Sequence, residues 1–205
     1  HEVSVELVQE RVATYREFEI LVGESTPVAA GYVYRDRWRR WGDDPTTLGD
    51  VRKYQEFTWL TARVGLYRRL FGNHNLRLEI AAGIGDDLDR LSGFYVGSIF
   101  GPFPITGHYY AEWKADRVLL LNASYAADLP ILDLRLHLYC DAGLVRPLGA
   151  RTHARTGLGV GVRFRIPVAE KRRLPVLLRY GWAPRAHRGG SRGGHEAAVL
   201  ISFAL

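Results

Sequence analysis

Between residues 131 and 144 the side chains alternate in strict period two. Leu132, Leu134, Leu136, Leu138, Cys140, Ala142 and Leu144 fall on one side, and Asp133, Arg135, His137, Tyr139, Asp141 and Gly143 on the other. Successive side chains of a strand point to opposite faces, whereas a helix would mix the two sets, so the segment predicts a strand with one apolar and one polar face. The pattern recurs three times downstream. Leu158, Val160, Val162, Phe164 and Ile166 alternate with Gly157, Gly159, Gly161, Arg163 and Arg165. Leu174, Val176, Leu178, Tyr180 and Trp182 face away from Arg179, Gly181 and Ala183, and Ala197, Val199, Ile201, Phe203 and Leu205 away from Glu196, Ala198, Leu200, Ser202 and Ala204. Upstream, 12–22, 28–37, 56–69, 75–83 and 117–127 read as strands, which makes nine, or ten if 2–8 is counted. Together they take over half the chain, against roughly a quarter in ordinary globular domains.

Short connections at 23–27, 72–74, 128–130 and 167–173 alternate with long ones at 38–53, 84–116, 145–156 and 184–194. Outer-membrane barrels have this asymmetry, with tight periplasmic turns and longer outer loops. A strand at 2–8 breaks it, because its link to residue 12 is short. Either those strands project beyond the bilayer or the first segment is a remnant of a longer chain.

Alternation does not say which face is wet, since a soluble barrel buries its apolar face and a membrane barrel exposes it. Three features favour the membrane. The strands reach the ten or so residues that a tilted strand needs to span hydrocarbon. The polar rows mix Arg, Asp and His with Gly, which suits a crowded lumen. Aromatics recur near strand ends, as at Tyr180 and Trp182, Tyr109, Tyr110 and Trp113, and Trp38 and Trp41, where an interfacial girdle would sit. Long strands also occur in soluble sandwiches, and Tyr and Trp in any core, so the rival is a soluble β-barrel binding an apolar ligand.

The predicted fold is thus all-β: an antiparallel transmembrane β-barrel of about ten strands, one domain over residues 1–205. Leu132, Leu134, Leu136, Leu138, Val160, Val162, Phe164, Val199, Ile201 and Phe203 would face lipid, and Asp133, Arg135, His137, Asp141, Arg163, Arg165 and Arg179 the lumen.

Composition narrows the classes. Within 205 residues no run approaches the ~18 apolar positions of a membrane-crossing helix. The 22 glycines show neither a collagen period nor a low-complexity tract. Cys140 alone excludes an internal disulfide framework. Methionine is missing even at position 1, as in a processed or trimmed chain. The net charge of +6 comes mainly from arginines that recur strand by strand, unlike the clustered patch of a nucleic-acid surface.

Five short segments, in order, carry a family resemblance. They are Asp89-Arg90-Leu91-Ser92-Gly93-Phe94-Tyr95-Val96-Gly97, Ile105-Thr106-Gly107-His108, Glu112-Trp113-Lys114-Ala115-Asp116-Arg117-Val118-Leu119-Leu120-Leu121-Asn122, Tyr139-Cys140-Asp141-Ala142-Gly143-Leu144-Val145 and Gly157-Leu158-Gly159-Val160-Gly161-Val162-Arg163-Phe164. Residues 85–205 resemble the C-terminal part of the Omp85 superfamily barrel, the group of bacterial surface antigens and assembly or secretion barrels. The resemblance implies a bacterial outer-membrane location and a scaffold, pore or protein insertion and translocation role. It also implies that these strands belong to a sixteen-stranded barrel. The loop 84–116 would fold into or over the lumen, with Thr106, Gly107 and His108 as its tip and Asp141 and Arg135 among its contacts. The implied partners are outer-membrane lipid, lipopolysaccharide and unfolded client proteins, with no cofactor, metal or nucleic acid. The sequence departs from the family at Thr106, which replaces the loop-tip arginine and removes its ionic lock. It departs again at Asn122-Ala123-Ser124-Tyr125, which lacks the usual acid, and at Leu205, which replaces a terminal aromatic; Phe203 lies on the same face as Leu205.

Other chemistry is weaker. The glycines of 157–161 alternate with apolar residues inside a strand and no helix follows, unlike a nucleotide loop. Asp133, His137 and Asp141 share a face, but spacing four along a strand puts neighbours about 13 Å apart, too far for one metal shell. Ser98, His108 and Asp116 could be drawn as the triad of an outer-membrane lipid hydrolase, yet no nucleophile elbow occurs, so no enzyme is predicted. Arg35, Arg37, Arg39 and Arg40, interleaved with Trp38 and Trp41, would suit lipopolysaccharide, and a solvated charge run explains them equally well.

Overall fold

The computed structural model describes residues 2–15, 20–34, 56–88, 92–129, 134–169, 172–188 and 191–201. Among them are ten strands and no helix: β1 (Glu2–Tyr15), β2 (Ile20–Tyr34), β3 (Glu56–Arg69), β4 (Asn75–Asp86), β5 (Phe94–Val96), β6 (Trp113–Leu129), β7 (Leu134–Pro147), β8 (His153–Ala169), β9 (Arg172–Arg188) and β10 (Ser191–Ile201). Nine of them form one antiparallel meander in chain order, and the short β5 pairs with the start of β6. Among the described residues β1 pairs only with β2 and β10 only with β9, so the sheet is not closed.

Period two sorts the two faces. One face is bare: Leu60, Val64, Ile80, Ile84, Leu119, Leu121, Leu138, Leu144, Leu158, Val160, Leu178 and Val199 are exposed, the last at 63%. The segment from β5 to β6 folds back over the other face. Val96, Phe103 and Ile105 of that segment pack on Ala81, Val118, Leu120 and Val145, and this is the hydrophobic core. Beside it the same face buries Glu79, Arg135 and Asp141.

The strand ends differ from the sequence expectation in physically readable ways. The turn expected at 23–27 is the interior of β2, paired throughout with β1 (Val8 opposite Pro27). Its turn-like composition comes from Pro27, which has no N–H to donate, and the β2–β3 register omits Thr26 and Pro27. Residues 2–8 and 12–15 are then a single strand, so the link expected between residues 8 and 12 does not exist. Strands run into the stretches expected as connections: β7 continues to Pro147 and β8 starts at His153, β8 continues to Ala169 and β9 starts at Arg172, and β9 continues to Arg188 with β10 starting at Ser191. At 153–156 the residues are His, Ala, Arg and Thr, so the hydropathy contrast fades there while the backbone ladder with β7 continues. Leu132, Asp133 and Phe203, and the arginine and tryptophan run 35–41, lie outside the described residues.

Arg135 and Asp128 form a buried pair at 3.6 Å where β6 and β7 meet. Losing one member of such a pair strands the other charge, at a cost of about 3–5 kcal/mol. Arg135→Ala is therefore expected to lower the unfolding free energy by roughly 3 kcal/mol, read from denaturant melts.

Candidate functional site

Two cross-strand rows build the site. In one, Glu79, Asn122, Asp141 and Gly157 stand opposite one another across β4, β6, β7 and β8. In the next, Arg77, Ser124, Tyr139, Gly159, Gly181 and Glu196 continue through to β10. The first row runs from polar side chains to bare glycine at Gly157, and the second is bare at Gly159 and Gly181 between Tyr139 and Glu196. That gap receives the tip of the loop 97–112.

The tip turns at Gly107, whose φ of +80 lies in the left-handed region open to glycine. A Cβ on Gly157 would strike the carbonyl of Thr106, and one on Gly181 would lie 2.5 Å from the Thr106 methyl and 2.7 Å from the Gly107 nitrogen. The glycine bed is therefore a contact surface for the loop, which explains the alternating glycines read from the sequence.

Polar anchors surround this bed. Thr106 N–H donates to Asp141 Oδ2 at 2.8 Å, and Asn122 Nδ2 donates to Asp141 Oδ1 at 2.8 Å and to the Pro104 carbonyl at 3.0 Å. Arg179 donates to the Thr106 hydroxyl, and its guanidinium lies over the Tyr139 ring, 3.8 Å from the centroid. Glu196 on β10 accepts from Ser98 Oγ at 2.5 Å, Ile99 N–H at 3.2 Å and Gly107 N–H at 3.2 Å. The His108 ring is held between the Glu112 carboxylate at 3.0 Å and the Thr156 carbonyl at 3.3 Å, edge-on to Trp113. Arg63 donates to the Pro102 carbonyl at 2.6 Å.

Of the residues singled out in the sequence, Thr106, Gly107, His108, Asp141 and Arg179 come together here. Thr106 has no charge, and the charges at its contacts come from the sheet: Arg179 donates to its hydroxyl, and Asp141 accepts its backbone N–H. Arg135 pairs with Asp128, near the end of the β6–β7 ladder away from the loop tip. Arg163 and Arg165 are half-buried, and His137 stacks on Tyr139. Leu136, Leu138, Val160, Val162, Val199 and Ile201 are exposed on the bare face, whereas Leu134 and Phe164 are half-buried. Ser98, His108 and Asp116 do not meet as a relay, because Ser98 Oγ is bonded to Glu196, and Asp116 is bonded to Arg146 at 2.5 and 2.6 Å.

Sequence reasoning missed Glu196 and Asn122 as anchors. Glu196 is the single acid in a run of small residues on the last strand, and that isolation was the available signal. Neither a family model nor a curated protein matches the sequence.

A buried acceptor or donor left without its partner costs about 1–3 kcal/mol. Asp141→Ala and Gly157→Val are expected to speed amide exchange across 99–112 roughly tenfold or more while β3 and β4 keep wild-type protection. Mass-spectrometric hydrogen exchange reads both regions in one experiment.

Proposed function

We propose that the chain forms the wall of a bacterial outer-membrane β-barrel of the Omp85 surface-antigen type, whose lumen is plugged by the loop 97–112. It acts as a scaffold, pore or protein insertion and translocation barrel. One observation carries the reading: the leucine and valine rows lie bare on one face, while on the other a loop is held down by Asp141, Arg179 and Glu196. A soluble carrier of an apolar ligand needs the reverse, with leucines lining the covered side. Strands of 11 to 17 residues on the meander also suit a tilted crossing of the hydrocarbon layer.

Residues 85–205, which carry the family likeness, include the loop and all of the anchors described above except Arg63. In that family the same loop enters the lumen, which agrees with a plug. The outward rows would meet lipid tails and lipopolysaccharide acyl chains, and a client protein would engage the wall or the lumen.

Folding into vesicles tests the reading. The chain is expected to require detergent or lipid and to show heat-modifiable gel mobility. Leu138→Arg and Leu121→Arg should each lower folding stability in bilayers by ~2–4 kcal/mol, the cost of a midplane charge on a lipid-facing strand. Monodisperse wild-type protein in plain buffer, with both variants neutral, would refute it. Deletion of residues 99–111 is expected to raise conductance across planar bilayers, and unchanged conductance would remove the plug role.

A further inference from the structure

Beside the loop tip, the polar face holds a cavity of about 310 Å³. Its walls carry Arg63, Arg77, Glu79, Tyr139, Asp141 and Arg179, and Pro102 and Pro104 of the loop roof it. Three guanidinium groups thus face two carboxylates, and both carboxylates are already engaged. Glu79 is shared by Arg63 at 3.4 Å and Arg77 at 2.6 Å. Asp141 spends its two oxygens on the Thr106 amide and Asn122.

Arg179 makes no salt bridge among the described residues, although Asp141 and Glu196 lie within its electrostatic reach. Its hydrogen bond goes to a neutral hydroxyl, it rests on a phenol ring, and its buried Nε–H meets no acceptor among the described residues. Arg77, with its side chain 45% exposed, borders the same space and stands opposite Ser124, which in turn stands opposite Tyr139. Arg77, Arg163 and Arg179 all act electrostatically on Tyr139. A cation in a half-enclosed site of lowered dielectric attracts a counter-charge more strongly than one in bulk water.

We infer that this cavity is an oxyanion site that binds a phosphate group, held chiefly by Arg77 and Arg179. Guanidinium groups match phosphate oxygens in geometry as well as charge, and arginine-lined constrictions serve anion and phosphate pores. The Tyr139 and Ser124 side chains supply hydroxyl donors at the cavity wall. The proposal uses the polar face alone, so it applies to the folded chain in detergent whether or not the wall crosses a bilayer.

Calorimetric titration of the detergent-solubilised protein with inorganic phosphate, at ionic strength fixed with sodium chloride, tests it. Saturable binding is expected, weakened tenfold or more in Arg77→Gln and in Arg179→Gln and unchanged in Arg69→Gln at the end of β3. Arg179 also holds the loop, whereas Arg77 bonds only to Glu79, so the Arg77 variant keeps the test valid if the other misfolds. Repeating the titration with mixed micelles of phosphatidylglycerol, against phosphatidylcholine, separates a lipid headgroup from free phosphate as the source. Binding of either, lost in the Arg77 variant, supports the site. Absence of saturation with both, or wild-type affinity in the Arg77 variant, overturns it.

Discussion

A sheet whose apolar face is bare and whose polar face is covered sets the terms for everything else in this chain. About a dozen large aliphatic side chains stand exposed or nearly so on the bare face. Full burial of such a side chain contributes ~1.5–3 kcal/mol, so leaving a dozen of them half in water forfeits on the order of 10 kcal/mol. That equals the whole net stability of a typical domain, about 5–15 kcal/mol. In hydrocarbon the forfeit vanishes, and the same rows become the solvent-facing surface. An aqueous environment would instead call for a covering layer, and among the described residues none packs there.

The covered face solves the complementary problem. Charged side chains there are costly unless paired, and the loop 97–112 supplies both apolar cover and hydrogen-bonding partners. Val96, Phe103 and Ile105 bring their own small core, so the loop is folded onto the sheet and not merely laid across it. The tip then fits only because three glycines leave the rows bare where it lands. Asp141 on β7, Arg179 on β9 and Glu196 on β10 hold it from three strands, which ties the loop to the edge of the sheet as well as to its middle.

Period two made the fold class legible because it is a local property: each of β7 to β10 declares its two faces within its own residues. The ends were less legible for two reasons. Proline inside β2 resembles a turn in composition, but its neighbours on β1 continue the ladder, a fact held in another part of the chain. Near 151–156 both faces are polar, so the strand β8 starts where no contrast marks it. The site was legible in its tip motif and in Asp141. The role of Glu196 was not, since its three loop contacts lie 89 to 98 residues away in sequence. Pairing of Arg135 with Asp128 was not legible, because a shared face does not say where along the strand a residue finds its partner.

The most direct measurement uses Cys140, the chain's only cysteine and an exposed member of the bare face. A nitroxide attached there in lipid vesicles reports collisions with oxygen, which concentrates in hydrocarbon, against a water-soluble nickel chelate. Oxygen should dominate strongly if the leucine rows contact lipid tails. Chelate collisions as frequent as those of a label on a water-exposed turn would contradict the account.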